Sequence, residues 1–184
     1  MPQNTPRGYT YPLYSDPANF PAQIQDLAQD IDLDVQSIVT STTAALNSKS
    51  ARVSASADFL MPASTDQFLT FAVEEYDNGA MANLGVNNDR LTITENGIYL
   101  VQLDCLFDFN GAIPTGGRRI VMMHNAATIS HDTRRGASDR PTQSSLTTLW
   151  RFVATDFIRF RACQSSVGAL NVRTRSMSAV KVAD

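Results

Sequence analysis

Two histidines are the residues most able to support acid–base or metal chemistry, and their spacing matches no familiar site. His124 and His131 are seven residues apart. His131 precedes Asp132, and such a pair can be half of a Ser–His–Asp triad, but no Gly-x-Ser-x-Gly turn accompanies it. The spacing also lacks the common arrangement of two zinc ligands on one face. We therefore interpret both histidines as strand-end or loop residues.

The carboxylates do not form the pair that glycoside hydrolysis requires. Glu74–Glu75 are neighbours, so a β-strand would direct their side chains to opposite faces. Asp104 and Asp108 would share the outer face of a strand, where we expect them to be solvated or paired with arginines such as Arg159 and Arg161. The sequence therefore predicts a protein without a catalytic site.

Two loops carry groups that bind ions in other proteins. Asn87–Asp89, together with Asp77, offers oxygen ligands for calcium but lacks the spacing of a dedicated calcium loop. Gly116–Arg119 is interpreted as a flexible connection between strands, because a phosphate-binding glycine loop opens a helix. The alternative for this loop is an exposed contact with anions. We predict no metal and no cofactor.

The two cysteines, Cys105 and Cys163, form no Cys-x-x-Cys pair, which excludes a zinc knuckle or a thioredoxin-like site. On the predicted strands, Cys105 lies on an apolar face, and Cys163 shares its face with Arg159 and Arg161. A disulfide would require both sulfur atoms in the same layer. We therefore predict two free thiols.

The composition indicates one medium domain with an appendage. The chain has 184 residues, of which 43% are hydrophobic and 18% are charged, and this balance favours a packed core over disorder. No run of 18 apolar residues occurs, so no membrane-spanning helix is expected. Residues 1–5 lack the basic and apolar stretch of a secretion signal, and we expect none.

Charge is distributed unevenly along the chain, although the net charge is only −3. Residues 53–117 carry nine acidic groups and one basic group, whereas residues 118–184 carry eleven basic and four acidic groups. We expect interleaved strands from the two segments to neutralise each other. A nucleic-acid surface is the alternative, but the arginines are scattered and no stacking motif accompanies them, so we expect no nucleic-acid partner.

An arm precedes the rest of the chain. Residues 1–15 are rich in proline and tyrosine and show neither helical nor strand periodicity, which predicts an extended segment. Tyrosine buries apolar surface and keeps a polar tip. The arm therefore either docks on a partner through Tyr9, Tyr11 and Tyr14, or is disordered.

Residues 16–49 are predicted to form a helix, because Asp16–Asn19 supply start signals and neither glycine nor proline occurs between Pro21 and Pro62. Apolar residues recur at steps of three and four and form one stripe: Ile24, Leu27, Ile31, Val35, Ile38 and Leu46. We expect the opposite side of the helix to carry Asp26, Asp30, Asp32 and Asp34. No lysine precedes Lys49, so ion pairs do not support the isolated helix. We predict that the stripe packs against copies of itself as a stem; its own domain is the alternative partner.

Residues 50–184 show the period of β-strands, so the fold class is mainly β. Residues 99–109 carry apolar side chains at every odd position, between turn signals at Asn96–Gly97 and Asn110–Gly111. Further strands are predicted at 67–73, 90–94, 119–124, 146–154, 157–163 and 170–182. The last is predicted to break near Arg175. Short strands and frequent turns predict an antiparallel sandwich or jelly roll.

Several short motifs of this region occur in an order typical of one superfamily. They are Phe68–Phe71, Glu75–Asp77, Arg90–Ile93, Gly97–Val101, Ile120–Ala126, Thr155–Phe160 and Ser178–Val182. Together they resemble the jelly-roll heads of the tumour necrosis factor and complement-globular-head superfamily, over about residues 53–184. Ala126 and Thr155 stand where that superfamily usually has glycine. The resemblance implies an antiparallel jelly-roll β-sandwich.

The beginning of the chain resembles a second family. The motifs Pro6–Tyr9, Tyr11–Pro12, Asp16–Pro17 and Ile24–Asp32 are similar to the arm and helix of small tail or fibre proteins of tailed phages that infect actinobacteria. This resemblance implies a homotrimer on the virion surface, made in the host cytoplasm. Residues 1–20 would attach to another virion protein, the helices would form a trimeric bundle, and the heads would lie at the distal end.

Residues 130–145 are predicted to form a long, polar, exposed loop. Because recognition commonly lies in long loops on a rigid scaffold, Arg134, Arg135 and Arg140 are candidate receptor contacts, with a host-surface glycan as a candidate ligand. The functional prediction is a non-enzymatic virion fibre for host attachment or decoration. The alternatives are a secreted-ligand-like trimeric binding module and a cell-wall glycan-processing tip protein.

Overall fold

The protein is described by a computed structural model that covers residues 3–4, 10–11, 20–46, 48–108, 116–137 and 139–184. The chain divides into two compact units, Met1–Asn47 and Ser48–Asp184. Each unit is described by itself below.

The first unit contains a short β-ladder and one helix. Strand β1 (Gln3–Asn4) pairs antiparallel with β2 (Thr10–Tyr11). The sequence predicts an extended arm, and at these residues the extended chain pairs with itself. This pairing was not predicted, because strands of two residues are too short to leave a periodic signal in the sequence. Helix α1 spans Phe20–Leu46, a length of about 40 Å at 1.5 Å per residue.

The helix ends three residues before the predicted limit at residue 49. Lys49 already belongs to the second unit, because its carbonyl oxygen accepts a hydrogen bond from the Lys181 amide at 2.8 Å. The hydroxyl of Ser48 likewise donates to the Lys181 carbonyl oxygen. These two bonds join residues 48 and 49 to the second unit directly after the helix ends.

The second unit consists of antiparallel strands. Its described strands are β3 (Ser50–Ala55), β4 (Phe59–Met61), β5 (Gln67–Phe68), β6 (Val73–Asp77), β7 (Arg90–Thr92), β8 (Gly97–Phe107), β9 (Gly117–His124), β10 (Ala127–Arg135), β11 (Thr142–Phe152), β12 (Phe157–Gln164) and β13 (Leu170–Ala183). One sheet has the order β11-β8-β13-β3-β6, with β4 also on β13. The other has the order β10-β9-β12-β5, with β7 also on β12. The predicted mainly β, antiparallel sandwich is confirmed.

The core lies between the two sheets and is built from alternating positions. In β8, every odd-numbered side chain from Tyr99 to Phe107 is buried, whereas Leu100 and Gln102 on the other face are exposed. The second sheet contributes Ile158 and Phe160, which are fully buried. Burying one such side chain contributes about 1.5–3 kcal/mol, so the alternation fixes which face of each strand points outward.

Two predicted strands differ in detail. Residues 67–73 are not one strand, because the chain leaves β5 and crosses to the other sheet, with Leu69 and Phe71 buried during the crossing. Strand β13 does not break near Arg175; its pairing with β8 only shifts register between Val172 and Arg175. The Arg175 side chain turns inward there, and its Nε donates to the Thr70 carbonyl oxygen at 2.5 Å.

The turns at the two positions where glycine is usual in the resembled superfamily are formed in different ways. At the first, Asn125 rather than Ala126 takes the left-handed conformation (φ 53°), which asparagine tolerates well. At the second, Thr155 itself has φ 78°, which is strained for a β-branched residue. Hydrogen bonds hold this turn: the Thr155 amide donates to Ile93 O at 2.8 Å, and the Val153 amide donates to Asp156 Oδ2 at 2.9 Å.

Replacing Thr155 with glycine should stabilise the protein. Thr155→Gly removes the steric cost of the left-handed conformation, and we expect the free energy of unfolding to rise by about 1 kcal/mol. Urea denaturation followed by circular dichroism measures the change. Ala154→Gly, one residue earlier at a position without positive φ, is the matched control and should lower stability. Equal destabilisation by both variants would contradict the interpretation.

Candidate functional site

The apolar stripe of α1 is solvent-exposed in the single chain. The exposed fractions are 57% for Ile24, 45% for Ile31, 52% for Val35 and 59% for Ile38. Leu27 is partly buried, and the side chain of Leu46 lies outside the described residues. With 3.6 residues per turn, these positions share one side of the helix. Large exposed apolar side chains aligned in this way are typical of an interaction surface.

The opposite side of α1 is mixed rather than purely acidic. Helical geometry places Asp26 and Asp30 away from the stripe and brings Asp32 and Asp34 to its flanks. Leu33 lies opposite the stripe and is 65% exposed. Substitution of this leucine can therefore serve as a control for substitutions in the stripe.

Most of the proposed anchoring tyrosines lie outside the residues that the structure describes. Tyr9 and Tyr14 lie outside the described residues, and Tyr11 is described only as part of β2. Their role in attachment stays a prediction.

The prediction of a long loop over residues 130–145 is wrong. Strand β10 continues to Arg135 and β11 begins at Thr142, so Arg134 and Arg135 lie on a strand and Arg140 lies in the short connection. All three side chains are exposed, and Arg134 Nε is 2.8 Å from Asp132 Oδ2. Because β10 is the edge of its sheet and largely faces water, its sequence shows no apolar alternation that could have revealed a strand.

The outer face of the five-stranded sheet carries a lattice of arginines and aspartates. Asp66 accepts from Arg119 Nη2 at 2.9 Å and lies 3.2 Å from Arg161 Nη1. Asp89 pairs with Arg90 Nε at 3.0 Å and with Arg159. The acidic first half and the basic second half of the head thus form ion pairs across strands, as predicted, but each of these aspartates is shared by two arginines.

Aromatic rings complete this lattice. The Arg159 guanidinium lies 4.4 Å from the centre of the Phe68 ring, and the Arg90 guanidinium lies 4.5 Å from the centre of the Phe157 ring. Such stacking adds a cation–π attraction and restricts the arginines to one plane. The lattice is therefore an ordered surface.

Asp108 pairs with an arginine, which is one of the two outcomes expected for Asp104 and Asp108, but the partner is Arg173 of its own sheet rather than Arg159 or Arg161. The aspartates lie on or beside β8, in the sheet opposite the two arginines. Asp108 instead lies 2.9 Å from Arg173 Nε, and Asp104 accepts from the amide of its neighbour Gln102 at 2.7 Å. Alternation along a strand predicts the face but not the sheet to which a partner belongs.

The lattice lowers the pKa of both aspartates. Burial alone would raise the pKa of Asp89, but hydrogen bonds from Arg90 and Arg159, with their positive charges, hold it below its ordinary value of 3.8. For Asp66, burial again acts upward, and the hydrogen bond and charge of Arg119 with the charge of Arg161 outweigh it. Both carboxylates are therefore ionised at neutral pH.

His124 belongs to a polar cluster that the sequence did not reveal. Its Nε2 lies 2.8 Å from Asp156 Oδ2, and Trp150 Nε1 donates to its Nδ1 at 3.3 Å. Asp156 also accepts from Asn125 Nδ2 at 2.8 Å. Burial acts to raise the pKa of Asp156, but hydrogen bonds from the Val153 amide, Asn125 and His124 lower it. The cluster braces the two turns and holds no nucleophile among its described contacts.

The other sequence-predicted chemical groups are not assembled into a centre. His131 lies on β10, whereas its neighbour Asp132 pairs with Arg134. Asp77 accepts from the amides of Gly79, Met81 and Ala82 at 2.7–3.0 Å, so it caps a turn. Among the residues that the structure describes, no group of three or more metal-ligating side chains occurs. Within the same residues, α1 included, no helix has the length and hydropathy to span a bilayer.

Both cysteines are free thiols, as predicted. Cys105 is buried on β8, and burial raises the pKa of its thiol to about 12. Cys163 is on β12, in the other sheet, and burial also raises the pKa of its thiol. Neither thiol has the electropositive, acidified setting of a catalytic cysteine.

The outer face of the six-stranded sheet differs from that of its partner sheet. Leu149, Leu100 and Val180 are register partners on adjacent strands and form an apolar ladder, in which Leu149 is 59% exposed. Further along the same sheet lies a polar cleft of about 390 Å³, whose lining includes Arg52 and Asp104. The head therefore presents one charged face and one partly apolar face.

Comparison with known proteins supports the fold. No protein-family model matches the chain, and no curated protein matches it by sequence. The chain is similar to the globular domain of a zebrafish complement 1qA protein, with 12% identity, a TM-score of 0.54, and coverage of 73% of this chain and 97% of that one. Murine APRIL matches at 13% identity and a TM-score of 0.52, with coverage of 73% and 99%.

A third similar structure is an Eiger tumour necrosis factor from S. frugiperda. It matches at 14% identity and a TM-score of 0.54, with coverage of 74% of this chain and 94% of that one. Identities this low support a common fold and nothing finer. The head shares the jelly-roll fold of these three structures, which is the fold that the order of the motifs predicts.

Neutralising Asp89 should destabilise the head in a pH-dependent way. Asp89→Asn leaves two partly buried guanidinium groups without their carboxylate, so we expect the free energy of unfolding at pH 7 to fall by about 2 kcal/mol. The difference from wild type should shrink as the pH falls below 3.8 and through the lowered pKa of Asp89 in the folded protein, because the wild-type carboxyl is then neutral too.

Thermal melts of both proteins between pH 2.5 and 7 measure this difference. Asp184→Asn is the control, because that side chain is 97% exposed and its loss should leave stability unchanged. A pH-independent gap between wild type and Asp89→Asn would show that the ion pairs do not stabilise the head.

Proposed function

We propose that the protein is a non-enzymatic virion fibre of an actinobacterial tailed phage. In this proposal, three copies associate through α1, residues 1–20 attach to another virion protein, and the jelly-roll heads are displayed for host attachment or decoration. The observation that carries the proposal is the exposed stripe of Ile24, Ile31, Val35 and Ile38 on a helix that directly precedes the head in sequence.

Self-association follows from the energetics of the helix. A single helix of this length is marginal in water without packing, and α1 has no acidic residue in its first turn and no basic residue in its last turn to complement its dipole. Covering each large apolar side chain contributes about 1.5–3 kcal/mol. Copies of the same chain offer an equally long, equally apolar stripe. Three is the number implied by the resemblance to phage fibre proteins.

The head has its own surface for contact between copies. The ladder of Leu149, Leu100 and Val180 lies on one outer face, and Val182 follows it with an exposed fraction of 53%. This apolar face is separate from the arginine lattice on the other sheet. Association through the ladder would leave the charged face of each head available to a ligand.

A binding role agrees better with the described side chains than a catalytic role does. Three aspartates that could act as acids or bases are already bound by arginines or backbone amides: Asp66, Asp77 and Asp89. Three identical heads on one stem also convert a weak site into an effective attachment through avidity. The arm, which pairs with itself at β1 and β2, supplies the proposed anchor.

Charges placed in the stripe should separate the stem. In the double variant Ile31→Asp and Ile38→Asp, two carboxylates per chain would have to be buried in the bundle, so we expect loss of association and of helical signal. Chemical crosslinking and far-ultraviolet circular dichroism measure both. Leu33→Asp, on the opposite side of α1, should keep the trimer. Loss of association in both variants, or in neither, would contradict stripe-to-stripe packing.

Removal of the arm should separate assembly from attachment to the particle. We expect a chain without residues 1–20 to remain a soluble trimer, because the stripe and the head are intact. We expect it to be missing from particles that assemble in its presence, because the proposed anchor has been removed. Immunoblotting of purified particles measures incorporation. Incorporation at the wild-type level would show that the anchor lies elsewhere.

A further inference from the structure

The outer face of the five-stranded sheet contains a small groove to which the proposed function assigns no ligand class. It has a volume of about 190 Å³ and is lined by Arg119, Val121, Thr128, His131, Thr133 and Arg161. The floor is Val121, which is only 3% exposed. Strand register places His131 and Arg161 on either side of Val121, one on β10 and one on β12. Two strand spacings separate them, about 10 Å.

The groove has more positive than negative charge. Arg119 and Arg161 share a single carboxylate, Asp66, with nitrogen–oxygen distances of 2.9 Å and 3.2 Å. The neighbouring carboxylate Asp132 is engaged by Arg134. One aspartate cannot neutralise two guanidinium groups, so a unit of positive charge remains beside the hydroxyls of Thr128 and Thr133.

Arg161 also has an unused donor. Its Nε is buried and finds no hydrogen-bond partner among the described residues. Because the Nε atom is buried, a ligand in the groove would reach the guanidinium through its terminal nitrogens. The guanidinium fork matches the planar or tetrahedral oxygens of carboxylates and phosphates.

We propose that this groove binds an anionic group, a carboxylate or a phosphate, carried by a host-surface glycopolymer. Arg119 and Arg161 would hold the charge, and the threonine hydroxyls would donate to its oxygens or to the adjoining sugar. The groove is smaller than the 300–1,000 Å³ typical of drug-sized pockets, so it accepts one charged residue of a polymer. The inference rests on the proposed attachment function and names its ligand class.

Calorimetric titration of the full-length protein tests the groove directly. Three probes are used at low salt: a glucuronic-acid oligosaccharide, a glycerol-phosphate oligomer, and a neutral oligosaccharide of equal length. We expect one of the charged probes to bind and the neutral probe not to bind. The probe that binds identifies the anionic group. Binding by neither charged probe, or equal binding by the neutral probe, would overturn the proposal.

Three variants locate the site. Arg161→Gln should weaken binding about tenfold, because a charged hydrogen-bonding partner is lost. Asp66→Asn should strengthen binding severalfold, because it frees both arginines, and a merely damaged fold could not produce this gain. Arg134→Gln is the control on the same sheet and should bind as wild type does. An equal loss in Arg161→Gln and Arg134→Gln, or no gain in Asp66→Asn, would place binding elsewhere.

Adhesion of labelled full-length protein to actinobacterial cells separates this inference from the attachment function. Adhesion that Arg161→Gln reduces and Asp66→Asn increases supports both. Adhesion that neither variant changes overturns the groove and leaves attachment intact. Probe binding without adhesion supports the groove and overturns attachment.

Discussion

Burial of one apolar face per strand determines the organisation of the head. The odd-numbered side chains of β8 meet Ile158 and Phe160 of the opposite sheet, and this contact fixes the inward face of every strand that pairs with them. The outward positions are then free to carry charge. The arginine–aspartate lattice, the groove beside it and the apolar ladder on the other sheet are all consequences of the same alternation.

Helix α1 also carries an apolar face, but the described residues of its own unit do not bury that face. Every large core residue of the head is covered by the head itself, whereas the α1 stripe is about half exposed. A protein rarely leaves such a stripe in water, because the apolar area costs free energy and invites association. The head therefore folds around its own core, and burial of the α1 stripe by other copies of the chain is part of the proposed function.

Features with a local period could be predicted from the sequence. Helix α1 and strand β8 each bury or align one face, so their patterns were visible. Strand β10 was missed because an edge strand facing water needs no apolar alternation. The pairing of Asp66 with Arg119 and Arg161 joins residues distant in sequence, which no local pattern records. The left-handed Thr155 was hidden because it lacks the glycine that usually signals such a turn.

The proposed fibre requires three chains to join through the α1 stripe. Sedimentation equilibrium of the purified full-length protein tests it most directly, because the result does not depend on molecular shape. We predict a mass three times the 20.1 kDa of one chain, maintained on dilution. A species of 20.1 kDa throughout the concentration range would contradict the proposed trimer, since the stripe would then be stable without another copy of the chain.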